Sequence, residues 1–297
     1  MLSGQRAYGE GVLRLTTFNV LHGMPILGGM PQPQRDDAGR IIGAPRHTDD
    51  AQLREAVAQL GSDVLALQEV DRHQDRSGLH DQTALAAEAL GAEFHRFVPT
   101  IVGEPGDASA WHPAGAEEDA AVAESRHAGA MYGVGLISRW PVLQWRIERF
   151  TSPAWRVPLV VPGPQRRPQV VRVPDEPRAA VAAVIDSPFG VMTVATAHLS
   201  FIPGVNIRQL RDLVRRTADL PRPFILLGDF NMPGRLPAVI TRMRALAKGA
   251  TYPSFKPTIQ FDHVLADGLT PTMRTQATVS ALNISDHCAV SVDLVRD

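Results

Sequence analysis

The sequence of 297 residues contains one cysteine, no long apolar run and no excess of charge of either sign. A single cysteine, Cys288, cannot form an internal disulfide, so nothing indicates an oxidising compartment. No apolar run approaches the roughly 20 residues that a membrane-spanning helix needs. Residues 1–15 also lack the apolar core of a signal peptide. These absences predict a cytoplasmic protein without a transmembrane segment and leave non-classical export open.

The balance of charge bears on the class of ligand. Thirty Lys and Arg residues oppose 31 Asp and Glu residues, which gives a formal net charge of −1. A strongly basic chain would have indicated nucleic-acid binding through the phosphates. Its absence argues against a high-affinity, non-specific DNA-binding protein and leaves a local basic patch open. With 44% hydrophobic and 21% charged residues, the composition is that of an ordinary soluble globular protein.

Apolar periodicity predicts strands in pairs, separated by helices. Strands are predicted at residues 12–20, 63–70, 94–98, 131–138, 141–150, 170–173, 179–186, 190–198, 224–229, 261–267, 272–280 and 288–294, and helices at 49–60, 81–90, 205–218 and 233–247. Residues 99–129 and 151–178 show no period and are interpreted as irregular insertions in a single domain spanning residues 1–297. This order favours an α/β sandwich over a strictly alternating parallel sheet.

Several polar side chains stand at the ends of apolar strands, where binding and catalytic sites are usually built. Each of the first three also has a structural interpretation. Asn19 in TTFNVLHG fits a turn, and His198 in TVATAHLS fits a hydrogen-bonded structural histidine. Glu69 in LALQEVD fits either a salt bridge at the end of the sheet or a ligand for a hard cation, because Mg²⁺ prefers carboxylate oxygen.

Two later segments carry paired polar groups. In LLGDFNMP, Asp229 and Asn231 lie two residues apart and face the same way if the segment is extended. An Asx turn is the structural alternative. In SDHCAVSVDL, Asp286 and His287 are adjacent, which suits one metal ligand and one general base or, alternatively, a surface pair. Asp262 in QFDHVLAD is a candidate to orient that histidine or a simple turn residue.

The combination and order of these segments is more specific than any one of them. The chain resembles the endonuclease/exonuclease/phosphatase superfamily in TTFNVLHG, ALQEVD, TAHLS, LLGDFNMP, FDHVLAD and SDHCAV, which run from Asn19 to His287. GDFN and SDH are the most specific of these. The resemblance implies a four-layer α/β/β/α sandwich of two mixed sheets with outer helices, and a site at one edge where strand-end loops meet. It also implies a metal-dependent hydrolase of a phosphate ester.

The resemblance implies a set of metal ligands. Glu69 would be the principal ligand for Mg²⁺, or Mn²⁺ as the alternative ion, assisted by Asn19 and Asp286. One difference from the family concerns the stretch GAMYGVGLISRWPV, which offers Tyr132 where relatives often carry a second acidic or other polar residue. This stretch therefore supplies no second carboxylate to the metal site. No specific role is implied for His263.

The resemblance also implies catalytic roles. Asp229 would align or deprotonate the attacking water, and Asn231 would hold the water or the phosphate. His287, oriented by Asp262, would contact the phosphate or act as the base. His198 would stabilise the transition state or the leaving group.

The substrate stays open among nucleic acid, a phospholipid headgroup and a small phosphorylated molecule, with a phosphodiester slightly favoured. A nuclease would use basic and aromatic clusters. The one candidate cluster, which also fits a solvated loop, contains Arg156, Arg166, Arg167, Arg172 and Arg178. Apolar contacts for a lipid or sugar substrate, which equally fit the core, would come from Trp111, Trp155, Phe201 and Ile202.

Two other classes of protein share features with this sequence. A non-catalytic member of the superfamily would bind a phosphorylated ligand or protein, but the residues that catalysis needs are all present in the sequence. A zinc enzyme would fit the ten histidines, yet none is arranged as HExxH and no CxxC occurs. The sequence makes no prediction of protein partners or oligomeric state.

Overall fold

The computed structural model describes residues 11–27, 30–31, 33–35, 41–45, 50–105, 110–126, 129–151, 156–162 and 168–296. Two mixed β-sheets of seven and six strands pack face to face. Among the described residues, no helix has both the length and the apolar character needed to cross a membrane.

The first sheet has seven strands. In spatial order they are β18 (Met273–Ser280), β19 (Ala289–Arg296), β1 (Val12–Asn19), β6 (Val64–Arg72), β9 (Met131–Ser138), β7 (Phe94–Gly103) and β8 (Trp111–Pro113). The pairing of β1 with β6 is parallel, and the other pairings in this sheet are antiparallel. The first and last described strands, β1 and β19, therefore lie side by side within this sheet.

The second sheet has six strands. In spatial order they are β10 (Val142–Phe150), β13 (Arg178–Ser187), β14 (Gly190–His198), β15 (Phe224–Asp229), β17 (Asp262–Asp267) and β16 (Arg244–Ala245). Here β14 and β15 are parallel. Three small hairpins stand apart, formed by β2 (Ile26–Leu27) with β3 (Met30–Pro31), β4 (Pro33–Arg35) with β5 (Ile41–Pro45), and β11 (Arg156–Pro162) with β12 (Pro168–Pro174).

The helices cover the outer faces of the sheets. They are α1 (Asp50–Leu60), α2 (Gln82–Leu90), α3 (Ala116–Ala123), α4 (Val205–Arg216) and α5 (Leu236–Thr241), with single 3₁₀ turns at Leu21–Gly23 and Asp75–Ser77. The apolar faces of α1 and α2 pack on the outer face of the seven-stranded sheet, and α4 packs on that of the six-stranded sheet. The third apolar cluster lies between the sheets. The predicted four-layer α/β/β/α sandwich is therefore confirmed.

Strand parity decides which side chains meet between the sheets. Leu13 and Leu15 of β1 lie in the cluster between the sheets, while Phe18 lies in the cluster under the helices. Successive side chains of a strand alternate between faces, so Asn19 follows Leu13 and Leu15 onto the inner face. The same alternation can be counted in the sequence VLRLTTFN, where Leu13, Leu15 and Asn19 are two residues or a multiple of two apart.

The predicted irregular insertion at residues 99–129 contains regular structure. β7 continues to Gly103 and pairs with β8, and α3 follows. The N–H of Gly115 donates to Glu118 Oε2 over 2.7 Å, which satisfies one of the free N–H groups at the start of α3. The prediction was wrong for these parts, because such short elements offer too few residues to show a period.

The second predicted irregular stretch, residues 151–178, contains the β11–β12 hairpin. Its prolines are compatible with pairing because each strand of a two-stranded sheet is an edge; Pro162 lies opposite Pro168. Outside the described residues lie Trp155, Arg166, Arg167 and the side chains of Arg156 and Arg172.

The helix predicted over residues 233–247 is much shorter. Arg242 takes a left-handed conformation with φ of 61°, which ends α5 after six residues. The chain then pairs with β17 as β16, and Leu246 enters the core between the sheets. The apolar spacing that predicted a long helix reflects burial of this segment at the sheet edge.

Candidate active site

Three neighbouring strands of the six-stranded sheet place a row of polar side chains at one edge. In register, His198 at the end of β14 lies opposite Asp229 at the end of β15, and Asp229 lies opposite Asp262 at the start of β17. Directly opposed residues point to the same face. All three are buried, so the sheet itself concentrates two carboxyl groups and an imidazole in a small volume.

Asn19 joins the two sheets at this edge. Its Nδ2 donates to Glu69 Oε1 over 3.0 Å and to Asp229 Oδ2 over 3.1 Å. Its Oδ1 accepts from the N–H of Leu21 over 3.0 Å, so the turn that the sequence suggested is also present. The amide nitrogen, rather than the oxygen, thus faces the carboxylates, which suits Asn19 to positioning them better than to ligating a cation.

Glu69 reaches the site through a β-bulge. The register between β6 and β9 shifts between Gln68 and Val70, and Glu69 has a φ of 58°. By parity Glu69 would share the face of Leu67, which packs under the helices. A bulge re-aims a side chain, and here it turns the carboxylate to within 3.9 Å of His198 Nε2. A positive φ in a residue other than glycine is uncommon and is typical of functional sites.

Gly228 allows β15 to approach β14 closely. A Cβ at this position would lie 2.1 Å from the carbonyl oxygen of Ala197, and its φ is 148°. The chain then turns, with the N–H of Asn231 donating to Asp229 Oδ1 over 2.9 Å. The Asx turn is therefore present. The side-chain amide of Asn231 lies 3.2 Å from His198 Nε2 and 3.0 Å from the carbonyl oxygen of Leu199.

His287 comes from the loop between β18 and β19. Its Nδ1 lies 2.8 Å from Asp262 Oδ2, and its Nε2 lies 3.7 Å from Asp229 Oδ2. The loop is tied to the rest of the edge by Ser285, whose Oγ donates to the carbonyl oxygen of Asn19 over 2.7 Å. Asp262 thus engages the imidazole at Nδ1, and Nε2 lies on the side of Asp229.

The charges in this row shift one another's pKa. Burial raises the pKa of Asp229 to about 7, against the opposing charge of His287. Burial alone would lower the pKa of His287, but the charges of Asp262 and Asp229 and the hydrogen bond to Asp262 raise it to about 10. At neutral pH the pair therefore consists of an imidazolium and a carboxyl group poised to gain or lose a proton.

His198 is held by a buried arginine. Nη1 of Arg178 lies 2.9 Å from His198 Nδ1. Burial and then the charge of Arg178 lower the pKa of His198 well below its usual value. Glu176 balances part of the arginine charge at 3.7 Å. For Arg178 the structure corrects the interpretation as part of a solvated loop, because the side chain is buried at the site.

Glu69 and Asp286 are the candidate ligands for a divalent cation at this edge, and the charge of Asp286 acts on Glu69. Asp286 Oδ1 is buried and has no hydrogen-bond partner among the described residues. Burial raises the pKa of Glu69, and the charge of Asp286 raises it further. Two mutually repelling carboxylates, one with an unsatisfied oxygen, form a donor set of hard oxygens that suits Mg²⁺.

A second group, Asp229, Asp262 and His287, offers three ligand atoms within 4.8 Å of one another. Asp262 Oδ2 and His287 Nδ1 are in contact at 2.8 Å, so these two atoms form a hydrogen-bonded relay rather than a pair of ligands. Asp262 Oδ1 is buried and has no hydrogen-bond partner among the described residues, so it is available to an ion.

Two tyrosines that the sequence left without a role also border the site. Burial and the charge of Glu69 raise the pKa of Tyr132 well above its usual value. The ring centroids of Tyr252 and His287 lie 5.0 Å apart. Among the apolar candidates for substrate contact, Ile202 is buried and Trp111 is half-buried.

Solved structures of similar fold cover nearly the whole chain. An endonuclease/exonuclease/phosphatase from Beutenbergia cavernae is 20% identical over 96% of this chain and 72% of its own, with a TM-score of 0.59. The mannosyl-6-phosphatase Bt3783 of Bacteroides thetaiotaomicron is 15% identical over 95% and 99%, with a TM-score of 0.50. The human Nocturnin catalytic domain, solved with a bound sulfate anion, is 13% identical over 96% and 95%, with a TM-score of 0.51.

A comparison with curated protein sequences gave no match. The sequence model of the Endonuclease/Exonuclease/phosphatase family matches residues 16–287, from β1 to the loop that carries His287. That span contains all eight of the predicted site residues. The chain belongs to the endonuclease/exonuclease/phosphatase family.

Proposed function

We propose that this protein is a divalent-metal-dependent hydrolase of a phosphate ester, acting as a phosphodiesterase in which an activated water attacks phosphorus. One observation supports this above the others. Side chains from both ends of the chain, Asn19 and His287, meet Glu69 and Asp229 at a single sheet edge. Carboxylates, an imidazolium and a neutral imidazole in one buried volume suit the charge neutralisation and water activation that an anionic ester requires.

Glu69 and Asp286 would hold the cation, and Asn19 would position Glu69 through its amide nitrogen. When bound, Mg²⁺ or Mn²⁺ supplies Lewis-acid stabilisation of charge on the phosphoryl group. The unpaired Asp286 Oδ1 is the atom that most directly favours this assignment over a purely structural role.

Asp229 is the group we assign to the water. Its pKa of about 7 lets the carboxylate accept a proton near neutral pH. Asn231 fixes one of its oxygens, because the N–H of Asn231 donates to Oδ1. The other oxygen, Oδ2, faces His287 and Asn19, so Asn19 also helps to orient it.

His287 and His198 would contact the phosphoryl group as donors. With a pKa of about 10, His287 is protonated at neutral pH, and Asp262 engages its Nδ1. Its Nε2–H is then directed into the site. His198 is neutral, and its Nδ1 accepts from Arg178, which leaves Nε2–H to stabilise the transition state or the leaving group.

Hydrolysis assays on a panel of phosphate esters are the direct test of this function. Hydrolysis of bis(p-nitrophenyl) phosphate, p-nitrophenyl phosphate, DNA, a phospholipid and an inositol phosphate would be measured with Mg²⁺, with Mn²⁺ and with a chelator. We expect metal-stimulated turnover that the chelator abolishes, with the diester cleaved faster than the monoester. Faster cleavage of the monoester would replace the diesterase assignment by a phosphatase. Absence of turnover with every ester would favour a non-catalytic binding protein.

A further inference from the structure

A cavity of about 350 Å³ lies on the helix side of the six-stranded sheet, apart from the active site. α5, β16 and part of β17 enclose it. Four cationic side chains line it, and no Asp or Glu does; they are Arg235, Arg242, Arg244 and Lys248. We call this space the basic cavity.

The cationic side chains of the basic cavity lack the carboxylate partners that many other arginines of this protein have. Within the described residues, Arg235, Arg242 and Lys248 make no ion pair and no side-chain hydrogen bond, and Arg244 has a single 3.4 Å contact with Thr275 Oγ1. By contrast, Nε of the nearby Arg222 forms an ion pair with Asp267 Oδ2 at 2.8 Å. Unpaired charges of one sign around a concave surface focus a positive potential that attracts anions.

The floor of the basic cavity is apolar. Met243 and Leu265 are buried and line it, together with Ala245 and Ala238. Small-ligand sites typically span about 300–1,000 Å³ and combine an apolar lining with a few polar groups that fix orientation. A cationic rim above an apolar floor suits a phosphate joined to an apolar ring better than a bare inorganic ion, since guanidinium groups both pair with phosphate and stack on flat rings.

The cavity and the active site occupy opposite faces of the same strand end. Asp262 contacts His287 on the inner face. The next residue, His263, lines the cavity, donates from Nε2 to the carbonyl oxygen of Met232 over 2.8 Å, and stacks on Phe230 at 5.5 Å. The inner and outer faces are thus separated by the thickness of one strand.

We propose that the basic cavity is a second binding site, which takes a phosphate monoester joined to a flat apolar ring. The phosphate pairs with Arg242 and Lys248, and the ring enters the apolar part of the cavity that is lined by Ala238, Met243 and Ala245. This site is independent of the hydrolytic function, because none of the residues we assign to catalysis lines it.

Calorimetric titration tests the proposal in the presence of a chelator, so that no metal links the ligand to the active site. The probes are AMP, adenosine and inorganic phosphate. We expect AMP to bind one site at least roughly tenfold more tightly than inorganic phosphate, and adenosine to bind no better than inorganic phosphate. Equal affinity for AMP and inorganic phosphate would overturn the assignment of an apolar ring.

Variants locate the site. Arg242→Glu with Lys248→Glu should weaken AMP binding by at least roughly tenfold, because both charge-assisted contacts are lost. Ala238→Phe should weaken it by filling the cavity without changing its charge. The matched control Arg211→Glu with Arg215→Glu, two exposed positions on α4, and the active-site variant Asp229→Asn should leave it unchanged. An unaltered affinity in the Arg242/Lys248 variant, or equal loss in either control, would overturn the proposal.

Discussion

Arg178 donates a hydrogen bond from Nη1 to Nδ1 of His198 over 2.9 Å, inside the protein. A guanidinium can only donate, so Nδ1 must present its lone pair and Nε2 must carry the proton. Nε2 lies 3.7 Å from Asp229 Oδ2 and 3.9 Å from Glu69 Oε1. The amide nitrogen of Asn231, at 3.2 Å, can only donate and therefore makes no hydrogen bond with the protonated Nε2. The arginine therefore fixes both the tautomer and the direction of the imidazole.

Replacement of this arginine should impair catalysis more than stability. We expect Arg178→Met to lower kcat by roughly 10–100-fold with a smaller change in KM, because His198 loses the group that sets its tautomer. Nitrogen NMR of the His198 ring would report the tautomer directly. The control is Arg215→Met on the surface of α4, which should match the wild type. A wild-type nitrogen spectrum in Arg178→Met would contradict the positioning role.

Removal of the principal carboxylate should abolish metal-stimulated hydrolysis. We expect Glu69→Ala to lower turnover by about 10²-fold or more, the usual cost of losing a key electrostatic group. Activity would be measured against metal concentration, with the exposed Glu93→Ala as the matched control. Activity within about threefold of the wild type would remove Glu69 from its assigned role.

Replacement of His287 should impair turnover and have little effect on folding. We expect His287→Ala to lower kcat by roughly 10²-fold or more, since it removes a positioned donor, while the circular dichroism spectrum stays native. His95→Ala, at an exposed position of β7, serves as the control. Unchanged turnover in His287→Ala would refute the catalytic assignment.

Gly228, the penultimate residue of β15, should be intolerant of any side chain. Gly228→Ala would push a Cβ to 2.1 Å from a backbone oxygen, and we expect a loss of at least about 3 kcal/mol in the free energy of unfolding. Gly190→Ala is the control, because its φ is also positive but no atom lies within 4 Å; it should lose only about 1 kcal/mol. Urea denaturation would measure both.

Buried His263 should make stability fall in acid. Burial lowers the pKa of His263 in the folded state below its ordinary value of 6.5. As the pH drops through 6.5, the unfolded chain therefore binds more protons than the folded protein, and the free energy of unfolding decreases. His263→Phe, which can still stack on Phe230, should lose less stability than the wild type between pH 7 and pH 5. An equal slope in the two proteins would exclude this contribution; the exposed His95→Phe is the control.

Periodicity predicted the main strands and three of the helices, because these elements are long enough for their apolar faces to repeat several times along the sequence. It failed over residues 233–247, where the apolar spacing belonged to a chain that leaves α5 to pair with β17. It also failed at residues 99–129, where the elements are short. A local pattern carries no information about which sheet edge a segment will join.

Within the site, sequence and structure contributed different things. The residue types available for the site followed from the motifs in the sequence, and the face that Asn19 shares with Leu13 and Leu15 followed from the alternation of a strand. The direction of Glu69 did not, because a bulge overrides the parity of β6. The burial of Arg178 against His198 could not be predicted from the sequence either, since it depends on the pairing of strands β13 and β14 and on the loops around them. The sequence determines which functional groups are present at each position. Their orientation, their burial and hence their proton affinity arise only when distant segments pack together.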